Sequence, residues 1–305
     1  MKGTLHIRNK HSNGYDFDTL VKSCPMLRKY VKRSPRGQQT IDFSDSNAVK
    51  MLNQALLISE YNVKFWDLPE GHLCPPIPGR VDYIHYIADL LFEGNKSINS
   101  DKIKGLDIGT GANLIYPILG HSEYGWKFVG SEINLDSVKW ANELLTKNPN
   151  LTESIKLRRQ KNKKHILKGL IKSQEKFDFT ICNPPFHASE EEAIKSNHRK
   201  SKNLGLKNNL NFGGVHSELW CDGGEVKFIE LFLEESIQAQ TNVLWFTCLV
   251  SKKTSLDQLL PKFKLNKQIK QFKVIEMSQG QKISRFIAWT FFTDQKMKLW
   301  KTRWK

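Results

Sequence analysis

A chain of 305 residues, 39% hydrophobic and 26% charged, is long enough to build a core as one large or two ordinary domains, which excludes wholesale disorder. Its apolar runs, Val243 to Val250 among the longest, fall far short of the ~18 consecutive apolar residues that a membrane-spanning helix requires. Lysine and arginine number 47 against 31 aspartates and glutamates, a net charge of +16 that favours a polyanionic partner, with nucleic acid the leading candidate. Met1 to Arg8 contains no apolar signal segment, so a cytoplasmic chain is expected. The five cysteines, at 24, 74, 182, 221 and 248, form no C-x-x-C pair and read as reduced thiols, with no metal site expected.

Residues 1–78 read as a small N-terminal module. Turn clusters (His11 to Gly14, Arg33 to Gly37, Pro69 to Pro78) surround helical patterns, the clearest placing Val49, Leu52, Leu56 and Val63 near one face. Lys29, Lys32, Arg33 and Arg36, beside Tyr30, suit contact with phosphate. Residues 79–305 read as a second unit. Val81 to Phe92 is helical in spacing and Lys104 to Ile108 is a short buried strand ending at glycines. Strand Lys127 to Glu132, helix Leu135 to Leu145, strand Ile155 to Arg159, a helical Ile166 to Ile171 and strand Phe177 to Cys182 follow. A polar stretch, His187 to Gly224, precedes a helix over Val226 to Gln238 and a strand over Val243 to Val250. Within that stretch Glu190, Glu191 and Glu192 suit the first turn of a helix better than a metal site. Strands Ile269 to Met277 and Ser284 to Phe292 close the chain through Ser278-Gln279-Gly280-Gln281, a hairpin connection that sets them antiparallel.

This alternation predicts a seven-stranded, mostly parallel sheet with helices on both faces and a terminal antiparallel hairpin, the Rossmann-like plan of class I methyltransferases. Another nucleotide-binding α/β fold with an antiparallel edge fits the topology as well. Where the first strand turns into a helix stands Leu106-Asp107-Ile108-Gly109-Thr110-Gly111-Ala112-Asn113. Glycines there let the backbone approach a ligand and present N–H groups to it, which makes Asp107, Gly109, Thr110, Gly111 and Asn113 candidates for a cofactor turn. Glu132 closes the second strand, where a carboxylate can accept hydrogen bonds from ribose hydroxyls.

Asn183-Pro184-Pro185-Phe186 follows the strand Phe177 to Cys182 directly and is the strongest local signal. Two prolines fix a stiff corner without backbone donors. An exocyclic aromatic amine is a poor nucleophile because its lone pair is delocalised into the ring. A carboxamide oxygen (Asn183) and a backbone carbonyl (Pro184) that accept both N–H groups favour its attacking form, while Phe186 holds the base by stacking. A sulfonium methyl donor is already reactive, so positioning suffices and no general base is demanded, His187 included.

These residues resemble the N6-adenine methyltransferases dependent on S-adenosylmethionine, with their [D/N/S]-P-P-[Y/F/W] motif. Within them the chain is similar to the ribosomal RNA large subunit methyltransferase F family and its eukaryotic RNA adenine methyltransferase relatives. The resemblance covers nearly the whole chain: His6 to His11, Asp67-Leu68-Pro69, Pro76 to Arg80 with Tyr83-Ile84-His85, the glycine motif, Asn183 to Phe186, and Asn211 to Gly214 through Trp220 to Glu225. It implies S-adenosylmethionine as cofactor, 23S ribosomal RNA or a large-subunit particle as partner, and adenine 1618 as target; a monomer without a membrane partner is expected. It further implies that Arg80 meets the cofactor's methionine carboxylate, that Asn183 also borders the cofactor, and that Asn211 to Glu225 is a substrate loop containing Gly213, Gly214 and Trp220. Lys195, His198, Arg199, Lys200, Lys202 and Lys207 would steer phosphate. Arg80 and these cations are equally readable as surface charges, and Trp220 as a packing anchor. A protein glutamine methyltransferase, which shares Asn-Pro-Pro, a DNA adenine methyltransferase and a non-catalytic RNA-binding assembly factor are the competing functions.

Overall fold

The computed structural model describes residues 4–93, 100–192, 194–195, 219–279 and 282–304. Helix α1 (Phe17–Ser23) is capped by Asp16, whose carboxylate takes the first-turn N–H groups of Asp18 and Thr19. A 3-10 turn over Pro25–Lys29 leads to an antiparallel ribbon of β1 (Lys32–Arg33) and β2 (Gln39–Thr40). Asp45 caps α2 (Ser46–Glu60), which buries Ala48, Leu52, Ala55 and Leu56. Val63, expected on that helix, lies beyond it: Asn62 takes a left-handed φ of 54°, and Val63 is buried from the following segment. Helix α3 (Ile77–Phe92) starts before the expected Val81, because Pro78 in its first turn has no N–H to leave unpaired.

Side chains fasten the N-terminal segment to α3. The His6 N–H and Asn9 Nδ2 donate to Asp82 Oδ1 at 3.1 and 2.5 Å, and Arg8 Nη2 donates to Asp89 at 2.6 Å and to the His85 carbonyl at 2.8 Å.

The central sheet has seven strands in the order β5-β4-β3-β6-β7-β9-β8. Strands β3 (Lys104–Ile108), β4 (Lys127–Glu132), β5 (Ile155–Arg159), β6 (Phe177–Cys182) and β7 (Val243–Val250) are parallel and coincide with the strands expected from the sequence. Hairpin β8 (Gln271–Gln279) and β9 (Lys282–Thr290) adds the antiparallel edge. Ser278 and Gln279, expected in its connection, pair with Ile283 and Lys282 and belong to the strand. The sequence's doubly wound class I methyltransferase plan is the observed one.

Two hydrophobic clusters flank the sheet. On one face α1, α2, α3, α4 (Ile115–Tyr124), α5 (Leu135–Thr146) and the short α6 (Pro149–Thr152) share a core with Phe128, Phe179 and Trp245. On the other, α7 (Gly224–Gln238) and α8 (Lys253–Leu265) pack on Phe177, Phe246 and Trp289. Neither α8 nor α9 (Asp294–Lys301) was expected, and Pro261 lies inside α8. The expected helix over Ile166 to Ile171 is a series of bends and turns. Its N–H groups at Ile166, Leu167 and Lys168 point at Glu235 Oε2 (2.9, 2.6 and 2.9 Å) instead of up a helix. Helix α9 anchors through Asp178 of β6, which is 2% exposed: Oδ2 accepts from the Lys104 N–H, and Oδ1 from the indoles of Trp300 and Trp304, all at 2.7 Å. Among the described residues no helix is long and apolar enough to cross a membrane.

Candidate active site

Parallel strands β3 to β7 place their C-terminal ends on one edge of the sheet. Chain order reverses between β3 and β6, which pair with Ile108 opposite Cys182. Clefts for ligands open at such a switch point. Gly109 and Asn183 are the next residues on the two strands and stand side by side there.

The turn after β3 is built for close approach. Gly109 and Gly111 hold φ of 70° and 63°, left-handed values that a side chain would strain, and the Thr110 N–H donates to the Ser131 carbonyl at 2.9 Å. Asn113 Oδ1 accepts from the Ile115 N–H at 2.9 Å, while the Asn113 carbonyl accepts from Trp66 Nε1 at 3.0 Å. Glu132, 7% exposed, closes β4 beside this turn. Its Oε2 accepts from the Gly111 N–H at 3.0 Å, and its Oε1 from the N–H groups of Ile133 and Asn134 at 2.7 and 2.8 Å. The carboxylate is therefore also a clamp that ties the glycine turn to β4.

Asp107 at the end of β3 is 1% exposed, and burial pushes its carboxyl up to about 7, the nearby Thr110 hydroxyl and Arg80 offsetting part of the effect and the charge of Glu132 adding to it. Arg80 enters from the first turn of α3. Its Nη1 donates to the Tyr116 hydroxyl at 2.7 Å and its guanidinium lies 5.5 Å from that ring's centroid. Among the described residues, Arg80 Nε, Thr110 Oγ1, both Asp107 oxygens and Asn183 Oδ1 are buried without a hydrogen-bond partner. Buried polar atoms are rarely left so, and this grouping fits a polar ligand that carries both donors and acceptors.

The corner Asn183-Pro184-Pro185-Phe186 leaves β6 at the same edge and is fixed from outside. The N–H groups of Phe186 and His187 both donate to the Leu219 carbonyl (3.1 and 3.0 Å), and the Cys221 N–H returns to the His187 carbonyl at 3.1 Å. Trp220 pairs with His187 in a parallel bridge and is half-buried. Residues 190–192 are helical, with the Glu192 N–H donating to Ser189 Oγ at 3.3 Å.

Lys29, Lys32, Arg33 and Arg36 are exposed on the 3-10 turn and ribbon of the N-terminal segment; Lys32 pairs with Asp42 at 3.0 Å and Arg33 Nη1 donates to the Gly37 carbonyl at 3.1 Å. Lys200, Lys202, Gly213 and Gly214 lie outside the described residues. Sequence reasoning passed over three features of the edge. Tyr116 orients Arg80; Trp66 supports the glycine turn; and Lys161, Lys163 and Lys164 are exposed on the loop after β5, whose Gln160 N–H donates to the Glu132 carbonyl at 2.9 Å. The Lys-Asn-Lys-Lys run was the available signal for the last. Among the described residues no group of three or more His, Cys, Asp or Glu is arranged to hold a metal ion.

The family described as RNA methyltransferase matches residues 1–293. The chain belongs to this RNA methyltransferase family. It is similar to the ribosomal RNA large subunit methyltransferase F of Pseudoalteromonas translucida, 51% identical over 295 residues that cover 95% of this chain and 94% of that one. The protein of the same name from Flavobacterium johnsoniae is 48% identical over 308 residues, covering 98% and 97%. Among solved structures, the hMettl16 catalytic domain in complex with MAT2A 3'UTR hairpin 1 superposes with a TM-score of 0.80 at 28% identity, covering 95% of this chain and 96% of that one. The N-terminal domain of human METTL16 in complex with SAH gives 0.76 at 28%, covering 95% and 100%. As a member of this RNA methyltransferase family the chain is an enzyme acting on RNA.

Proposed function

We propose that the chain transfers a methyl group from S-adenosylmethionine to the N6 amine of one adenine in 23S ribosomal RNA, adenine 1618 by the resemblance described above. The observation that carries this reading is Asn183 Oδ1, a buried amide oxygen without a partner beside the glycine turn. Ribosomal RNA as substrate draws support from the relatives' names, and the cofactor from the SAH bound by the METTL16 domain.

Asn183 Oδ1 and the Pro184 carbonyl accept the two N–H groups of the amine and turn its lone pair out of the ring. Phe186 stacks on the base, with its backbone pinned to Leu219. Arg80, oriented by Tyr116, holds the methionine carboxylate, the turn from Asp107 to Asn113 lines the rest of that moiety, and Glu132 meets the ribose. When bound, S-adenosylmethionine supplies a methyl group already activated by its sulfonium charge. Residues 1–78 act as an RNA-binding module through Lys29, Lys32, Arg33 and Arg36. The loop 187–224, with Lys200, Lys202, Gly213, Gly214 and Trp220, encloses the substrate, and the enzyme works as a cytoplasmic monomer.

The test is transfer from labelled S-adenosylmethionine to separate pools of 23S fragment, DNA and protein, with digestion and mass spectrometry of the product. N6-methyladenosine in the RNA pool is the expected result. Methylglutamine, methylcytidine or a ribose methyl ether would overturn the acceptor.

A further inference from the structure

Phe43 is 54% exposed and belongs to neither hydrophobic cluster among the described residues. A single exposed apolar side chain is ordinary on a protein surface. What sets Phe43 apart is how firmly it is presented. It occupies the second position of a turn closed by the Asp45 N–H donating to the Asp42 carbonyl at 3.1 Å. The Asp42 carboxylate braces that turn twice, through the Ser44 N–H at 3.0 Å and the Ser44 hydroxyl at 2.5 Å on Oδ1, and through Lys32 Nζ at 3.0 Å on Oδ2. On one side Ile41 is buried, 2% exposed; on the other Asp45 caps α2. The Phe43 backbone is therefore held in a braced turn that Asp42 ties to Lys32 of the β1–β2 ribbon, and its ring is exposed there.

The acids of this surface are used internally. Asp42 is taken by Ser44 and Lys32, Asp18 accepts from Gln39 Nε2 at 3.0 Å, and Asp45 is a helix cap. Arg28, Lys29, Arg33 and Arg36 remain exposed without a carboxylate partner among the described residues. An exposed aromatic ring on a braced turn, in the same short segment as unopposed cations, matches the two needs of an unpaired nucleotide, a π-face for its base and positive charge for its phosphate. A fully paired duplex hides its base faces and cannot use the ring.

We infer that Phe43 is a stacking platform for an unpaired base of the RNA substrate, at a site distinct from the methyl-transfer corner. The inference rests on the RNA-binding role proposed above for residues 1–78. The test uses the full chain and measures binding to a labelled 23S hairpin with unpaired loop nucleotides and to a fully paired duplex of equal length. Phe43→Ala should weaken hairpin binding by roughly 5- to 150-fold, the span expected for one stacked base. Phe43→Trp should restore it, while duplex binding, SAH affinity and melting temperature stay at wild-type values. Unchanged hairpin affinity, or equal losses on hairpin and duplex, overturns the inference. An Arg33→Gln, Arg36→Gln variant separates the two readings. Loss there with no loss in Phe43→Ala removes the platform and keeps the module; no loss in either variant removes both.

Discussion

The indole of Trp66 donates to the carbonyl of Asn113 at 3.0 Å, so a residue of the N-terminal segment holds the glycine turn from outside the sheet. Its segment is clamped in turn by Asn148, which accepts from the N–H groups of Lys64 and Phe65 and donates to the Phe65 carbonyl. Trp66→Phe keeps most of the buried ring but leaves that carbonyl unpaired, at a cost of about 1–3 kcal/mol. SAH titration should show weaker binding than in wild type, with RNA affinity retained. Unchanged SAH affinity would reduce Trp66 to a packing residue.

In the proposed mechanism Asn183 and Phe186 serve different parts of one event and should separate kinetically. Asn183→Ala removes an acceptor at the reacting nitrogen, and single-turnover methyl transfer should slow by ~10²-fold or more. Phe186→Ala removes stacking worth about 1–3 kcal/mol and should raise the RNA concentration needed for half-maximal rate as well. A fully active Asn183→Ala enzyme would refute the mechanism.

Besides the ribose contact proposed for it, Glu132 clamps the glycine turn. Glu132→Ala strips a partner from the N–H groups of Gly111, Ile133 and Asn134, so melting temperature and SAH affinity should fall together. Glu132→Gln keeps one acceptor oxygen and should retain more stability than affinity. Calorimetric titration alongside thermal melts distinguishes the two losses.

Asp107 gives stability a defined pH slope. Its carboxyl titrates near 7 when folded, through burial, against 3.8 unfolded, so the folded chain binds more protons between those values. Stability from this residue is highest below about 3.8, declines as pH rises toward 7 and stays low above it. Asp107→Asn should flatten that part of the profile. An identical melting-temperature profile in the variant would show that Asp107 does not titrate there.

The buried histidines slope the other way. Burial pushes His85 down to about 3 and His11 to about 4, from 6.5. Their contribution is complete above pH 6.5 and is lost as pH falls toward 4, where the unfolded chain takes up protons that the folded chain refuses. Hydrogen exchange in residues 4–15, corrected for intrinsic rate, should accelerate over that interval. Constant protection would remove these side chains from the docking of the N-terminal segment.

Strands β3, β4, β6 and β7 were legible because buried, strand-favouring residues such as Leu106, Val129, Phe179 and Val243 recur in short stretches that end at turn residues. Asp107, Gly109, Glu132 and Asn183 inherited that clarity, since each sits at or just past a strand end. Ile166 to Ile171 misled because Ile166, Leu167 and Leu170 mimic helical spacing, while the carboxylate that organises their N–H groups comes from Glu235, 69 residues away from Ile166. Helix α8 was hidden by Pro261, although Leu256, Leu259 and Phe263 carried the right period. Trp66 and Tyr116 act at the edge through contacts between distant segments, which no local pattern encodes.

The two indoles that occupy Asp178 Oδ1 belong to Trp300 and Trp304, and a chain is synthesised from its N-terminus. All seven strands are therefore made before the acceptor at the start of β6 is filled. Until α9 docks, that strand buries a carboxylate whose described partner is one backbone N–H, from Lys104. The far end of the same strand bears Asn183. The strand that leads into Asn183 is thus secured at its near end by residues that follow all seven strands in the chain.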